Sequence, residues 1–332
     1  MALAAGVSFA ADAPPQAEIS NGQIQAKIYL PDVKTGFYRG TRFDWSGVVG
    51  GLVYKGHDYY GRWFQRMDPN VRDYADQSTE IVASPCSAIT GPVDEFLTNG
   101  RGLGWNDAKP GGTFIKIGVG VLRKDNANYD HYKLYEIVDA GKWAVRKGRD
   151  FVEFTQEAAD PSLGYGYTYR KTMRLTAGKP EMVLEHSLKN TGSKAIQSSV
   201  YNHNFLVLDQ QVTGPDFTIT VPYQIKSSRP PQFAEIRGNQ IVYLKTLAPQ
   251  EIATTPVSGF GDSPKDHEVR IENSKLGVGV KFNGDRPLAN ASLWSIRSVV
   301  SIEPFVAISI EPGAEFTWKA TYEYYTLPAK GN

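Results

Sequence analysis

Between residues 22 and 30, Ile24, Ala26, Ile28 and Leu30 alternate with Gln23, Gln25, Lys27 and Tyr29. A period of two places one row of apolar side chains on one face of an extended chain, which predicts a half-buried strand. The same spacing recurs at 114–122, 151–156, 167–175, 182–188, 198–208, 217–221, 278–282, 299–310 and 316–325. Turn chemistry separates these runs: "TAGKP" at 176–180, "KNTGSK" at 189–194, "NGDRP" at 283–287 and "EPGAE" at 311–315. No stretch of about 12 residues keeps a helical period. The best short helical turn falls within 92–99. Many short strands joined by Gly- and Asn-bearing turns predict an all-β protein, a large antiparallel sandwich or a barrel.

The 332 residues show no internal repeat, low-complexity linker or break in composition. One β-sandwich domain over 17–328 is therefore expected, preceded by a leader at 1–16. Within that leader, "ALAAGVSFAA" runs into the polar, proline-bearing "DAPPQAE". It reads as a signal-peptide remnant without the positively charged start, or as a disordered leader, and sets the expectation of a periplasmic or secreted protein. The segment 58–103 is rich in Tyr, Arg, Asp and Gly and long for a connection. Such a segment is expected to cover or line one end of a site.

Charge narrows the partners. With 36 basic and 35 acidic residues and no run of one sign, the chain lacks the basic stripe of a nucleic-acid binder. No apolar run reaches the ~18 residues of a membrane span. The single cysteine, Cys86, forms no internal disulfide, and "ASPCSAITG" has no adjacent histidine to make a thiolate, so it reads as a small buried filler. Aromatics make up 12% of the chain; sheets favour them, and flat rings also suit the apolar faces of pyranoses. Zinc spacings, a phosphate-cradling loop and a serine-nucleophile elbow are all missing. The glycines of "GVGVLRK" alternate as if within a strand, and no metal or cofactor is expected.

Five histidines leave few places for acid–base chemistry. His57 and His267 stand in polar stretches and read as solvated. His131 lies in the aromatic-rich "NYDHYKLYE". His186 shares parity with Met182, Leu184 and Leu188 and reads as a satisfied core histidine. His203, in "SSVYNHNFLVLD", shares a face with Tyr201, Phe205 and Val207, while Asn202 and Asn204 point the other way.

A resemblance adds to this reading. Three runs in order, "FVEFTQEAADPSLGYGYTYRKTMRL", "EMVLEHSLKNTGSKAI" and "YNHNFLVLD", are similar to the central part of aldose 1-epimerases of the galactose mutarotase-like superfamily. The C-terminal "VVSIEPFVAISIEPGAEFTWKATYEYY" resembles that family's closing strands, and "RGTRFDWSGVVGGLVYKGHDYYG" its opening hairpin. The resemblance implies a galactose mutarotase-like supersandwich, no cofactor, a carbohydrate substrate, and a monomer or homodimer. It places His203 at the family's general acid and Glu303 at its general base, with Glu311 and Glu315 in a structural turn. The family's upstream His-Gly-Gly loop has no counterpart; Trp105, Asn106, Asp107 and Lys109 occupy that neighbourhood. Trp105, Lys109 and Arg62 are expected to bind sugar from loops over the pocket, with His131, Tyr165 and Asp262 as further substrate-binding candidates.

A glutamate and a histidine in one pocket suit mutarotation, in which one group takes a proton from the anomeric hydroxyl and the other gives one to the ring oxygen. The same pair could move a proton on carbon beside a carbonyl. A carbohydrate-binding sandwich without turnover, and an epimerase, isomerase or lyase acting on a keto- or oligosaccharide, are the alternatives. The substituted upstream loop implies a ligand other than free galactose: a modified, oxidised or oligomeric sugar.

Overall fold

A computed structural model describes residues 13–328. Residues 1–12, which hold most of the leader expected at 1–16, lie outside the described residues. The first strand, Gln16–Ser20, pairs with Ile24–Tyr29, so Gln16, placed in the expected leader, already belongs to the sheet.

The described chain is almost entirely β, with one short 3-10 turn at Pro264–Asp266. A ten-stranded antiparallel sheet is its largest layer. Its centre is the run Phe151–Asp160, Tyr165–Leu175, Glu181–Asn190, Glu315–Thr326 and Val278–Gly284, each paired antiparallel to the next. Against it packs a five-stranded sheet in the order Ala253–Val257, Asn290–Ile296, Val299–Ile310, Ile196–His203 and Val93–Leu97. A four-stranded N-terminal sheet, Gln16–Ser20 to His57–Tyr60, closes one side. The layers bury a common core: Ile28, Leu52, Phe154, Leu184, Ile271, Leu293 and Ile302 belong to one cluster. The chain is thus a large antiparallel β-sandwich, as its period of two predicts, because each sheet hides one row of every strand and offers the other to a neighbouring layer or to water.

Three local expectations are corrected. The segment 114–122 is a hairpin of Thr113–Lys116 and Gly120–Arg123. Gly118, at φ 82°, makes the turn where an added Cβ would stand 2.6 Å from Asp44 Oδ1, so the alternating glycines mark a reversal. The segment 92–99 is a strand, Val93–Leu97, with both faces buried; its two carboxylates hide the apolar alternation. The segment 58–103 is also less irregular than its composition suggests. Arg66–Met67, Ile81–Ala83 and Tyr74–Asp76 form a small sheet of their own.

Candidate functional site

The five-stranded sheet explains how distant residues meet. Its inner row, including Val200, Ile302, Val306 and Ile308, enters the core. The alternate row faces outward beneath the loops. Tyr201 pairs with Phe305 and with Glu95; carried two residues further, that register sets His203 opposite Glu303. Ser292 pairs with Glu303 from the other side. Strand alternation therefore puts Ser292, Glu303 and His203 in one row and Phe305, Tyr201 and Glu95 in the next.

Of these, His203, Glu303, Tyr201 and Phe305 floor a cavity of about 250 Å³. Trp63, Phe205, Trp294 and Phe305 wall it with rings, and Arg42, Asp73, Ser87, His131 and Tyr132 complete it. His203 Nε2 lies 3.0 Å from Glu303 Oε1. Ser292 Oγ donates to Glu303 Oε2 at 2.8 Å. Ser301 Oγ lies 3.1 Å from His203 Nδ1 and accepts the Asn204 N–H. The imidazole is clamped between Phe205, stacked at 3.5 Å, and Trp294, edge-on at 5.1 Å. Both members of the pair therefore have a fixed orientation and a second polar partner. Burial pushes the Glu303 carboxyl up, but His203, Ser292 and Arg42 more than offset it and hold it below the ordinary glutamate range.

A buried ionic chain runs beside the pair. Glu95 accepts from Arg42 Nε at 2.9 Å, Lys116 Nζ at 2.8 Å and Tyr201 Oη at 2.5 Å. Burial alone would raise its carboxyl; Lys116 and Arg42 hold it at about 2. Arg42 also reaches Asp73 at 3.6 Å and gives a hydrogen bond to Tyr201 Oη. His131 Nδ1 stands 3.9 Å from Glu95; burial and the Arg42 charge push its basicity down to about 4, against the pull of Glu95, so it faces the cavity neutral.

Behind the sheet lies a second network. Asp94, the strand neighbour of Glu95, holds Lys171 at 2.7 Å, His186 Nε2 at 3.1 Å and Asn202 Nδ2 at 3.1 Å. Tyr322 Oη bonds both Asn202 and Asn204. The two asparagines flanking His203 are thus anchored in the core while the histidine faces out.

Of the sequence candidates, His203, Glu303 and His131 line this cavity. The others lie elsewhere. Arg62 is exposed, its guanidinium resting over Phe37 and Phe64. Trp105 packs into the rings of Phe114, Tyr129 and Tyr135, and with Tyr165 it lines a separate cavity of about 200 Å³. Lys109 and Asp262 are exposed on loops outside both. The neighbourhood of the missing histidine loop turned away because its apolar members found an aromatic cluster to fill. His57 and His267 are not simply solvated: His57 Nδ1 lies 2.6 Å from Asp209, and His267 is buried against the Arg286 carbonyl. His186 is buried as expected, yet only one nitrogen is satisfied; its Nδ1 has no hydrogen-bond partner.

Sequence reasoning passed over Arg42, Asp73, Glu95, Ser292, Ser301 and Trp294. The signal available was a pair of acidic residues, Asp94 and Glu95, inside an otherwise apolar run, since unpaired charges are not buried. A larger open groove of about 680 Å³, crossing the N-terminal sheet past Lys27, Asp58 and Arg149, contains no histidine. Volume alone does not pick the site; paired, oriented acid–base groups favour the smaller cavity.

No helix of the described residues is long and apolar enough to cross a membrane. No protein-family model matches the chain, and no curated protein matches it by sequence. Solved structures do match. The Slr1438 protein of Synechocystis sp. PCC 6803 superposes with a TM-score of 0.58 at 12% identity, over 97% of this chain and 100% of that one. A galactose mutarotase-like protein from Lactobacillus casei gives 0.53 at 14% identity, over 93% and 100%. The GalM/aldose epimerase homologue from C. elegans gives 0.52 at 12% identity, over 95% and 100%. Across nearly its whole length, and at very low sequence identity, this chain has the galactose mutarotase-like fold.

Proposed function

We propose that the cavity binds a carbohydrate and transfers protons on it, with Glu303 as general base and His203 as general acid, in the manner of an aldose 1-epimerase. The observation that carries the reading is the 3.0 Å approach of His203 Nε2 to Glu303 Oε1 inside a ring-walled cavity. At about 250 Å³ the space lies just below the usual range of about 300–1,000 Å³ for ligand sites, a size for one sugar ring. Aromatic walls offer flat apolar faces, and Asp73, Arg42 and His131 offer hydrogen-bond partners for hydroxyls.

In this reading a sugar's anomeric hydroxyl and ring oxygen come between the two groups. Glu303, kept ionised by its surroundings, takes the anomeric proton as the bond from the anomeric carbon to the ring oxygen breaks. His203 gives its Nε2 proton to that oxygen. The carbonyl so formed rotates, and the reverse transfers close the ring on the other face. Ser301 accommodates a proton on Nδ1, letting the imidazole cycle between charged and neutral forms, and Ser292 holds the carboxylate. Each transfer is worth ~10²–10⁴-fold.

The test is anomer exchange followed by NMR and polarimetry over a panel of aldoses, in wild type and Glu303→Gln. Exchange above the buffer rate that disappears in the variant supports the reading. Sugar binding without any exchange would leave a carbohydrate-binding protein, and proton exchange at carbon with a keto-sugar would move the chemistry to an epimerase or isomerase.

A further inference from the structure

We infer that this site takes a neutral sugar ring, and that Asp73, together with Arg42, grips adjacent hydroxyls of it and sets that preference. The inference rests on the reading of the cavity as a sugar site and goes one step beyond it.

Asp73 comes from the segment 58–103, outside every run that carries the family resemblance, and enters the cavity with Glu303 and His203. Its backbone is held in the left-handed region at φ 72°, a conformation uncommon for side-chain-bearing residues and concentrated where a position is over-determined by its surroundings. One carboxylate oxygen is committed: Oδ1 accepts from Ser87 Oγ at 2.6 Å and faces Arg42 Nη1 at 3.6 Å. Among the described residues no donor reaches Oδ2. A half-buried carboxylate that lines a cavity, with one oxygen fixed and no donor on the other, is an acceptor for a hydroxyl. Arg42 is anchored through Nε on Glu95 and through Nη2 on Tyr201, which leaves Nη1, beside Asp73 Oδ1, as the donor it can offer in the cavity that both residues line. A rigid acceptor beside a rigid donor matches two neighbouring hydroxyls, one donating and one accepting.

The charges exclude the acidic alternative. Arg42 already faces Glu95 and Asp73, Lys116 faces Glu95, and His203 faces Glu303. Arg72, exposed and resting over the Tyr132 ring, is paired with Asp130. A sugar carboxylate or phosphate would enter beside the two carboxylates that line the cavity, Asp73 and Glu303, with the Arg42 charge already shared between Glu95 and Asp73, and a buried charge without a counter-charge of its own is strongly disfavoured. Of the modified ligands expected from the sequence, the oxidised ones are therefore disfavoured.

The experiment is isothermal calorimetry and anomer-exchange kinetics on the full chain with glucose, galactose and mannose, each beside its 6-carboxylate and 6-phosphate. Wild type, Asp73→Asn, Asp73→Glu and Glu303→Gln are compared, with circular dichroism and melting as folding controls. The expected result is that wild type binds a neutral sugar at least about tenfold more tightly than its charged partners. Asp73→Asn should weaken the neutral sugar about tenfold or more and raise KM while changing kcat by less than about threefold, and should narrow the gap to the acidic sugars. Asp73→Glu should recover part of the loss, which a purely structural role would not predict. Equal or tighter binding of the uronates by wild type overturns the inference, as does a folded Asp73→Asn that binds the neutral sugar within twofold of wild type. If wild type binds no sugar of the panel, the sugar reading itself falls. If Glu303→Gln binds sugar normally and turns none over, that reading stands whatever Asp73 does.

Discussion

Lys171→Met is the most informative perturbation of the fold beneath the site. The Lys171 side chain is fully buried, with Nζ 2.7 Å from Asp94 Oδ2 and 3.4 Å from Asp44 Oδ2. Removing it leaves two buried carboxylates with His186, Asn202, Ser46 and Tyr169 as their remaining partners. Breaking a buried ion pair from one side destabilises by about 3–5 kcal/mol. With an unfolding entropy of about 2 cal/mol/K per residue, that is a fall in melting temperature of roughly 5–8 °C. The sign of the pH dependence follows from the carboxyls. Burial pushes Asp94 up, but Lys171 and His186 more than offset it, so its folded value lies below the unfolded one. In wild type Asp94 therefore contributes stability that is full above the unfolded value and is lost only as pH falls through the folded one. In the variant burial prevails, the folded value rises above the unfolded one, and the ionised form destabilises until acid neutralises it. Asp44, already raised by burial, moves the same way. The gap between wild type and variant should be widest near pH ~7 and shrink toward pH ~4 in urea denaturation. A loss below about 1 kcal/mol that does not change with pH would refute the argument, because it would mean that these carboxylates are hydrated in the folded protein.

Further outcomes are expected. Glu303→Gln and His203→Ala should each lower anomer exchange by ~10²–10⁴-fold with the β spectrum unchanged by circular dichroism; turnover within twofold of wild type in either would remove that residue from the mechanism. The acidic limb of the rate–pH profile should lie below the ordinary glutamate value of about 4.3, since the Glu303 carboxyl is held down by His203 and Ser292 against burial; a Glu303-dependent limb above pH ~6 would contradict this. Gly118→Ala should destabilise by roughly 1–3 kcal/mol, because φ is 82° there and the new Cβ would meet Asp44; an unchanged urea midpoint would show that the hairpin turn relaxes.

What the sequence determined by itself was the fold class and the strand that carries the histidine. A period of two over 167–175, 182–188 and 299–310 is a local property of the chain, and the structure keeps each as a strand, Tyr165–Leu175, Glu181–Asn190 and Val299–Ile310. Parity along 198–208 separated Tyr201 and His203 from Asn202 and Asn204, and the structure keeps that separation. Parity could not say which outward face is covered, nor by what. The sugar-binding residues expected from 105–109 turned away, while Arg42 and Asp73, far apart in the first hundred residues, converged on the cavity, with the buried Glu95 holding Arg42 from behind. Their convergence depends on sheet register and on how the 58–103 segment folds over it. Each is a sum of long-range contacts, and a buried carboxylate such as Glu95 is stable only because Arg42, Lys116 and Tyr201 arrive from three other parts of the chain. Local pattern is written residue by residue, whereas charge pairing in a buried site exists only once the chain has folded.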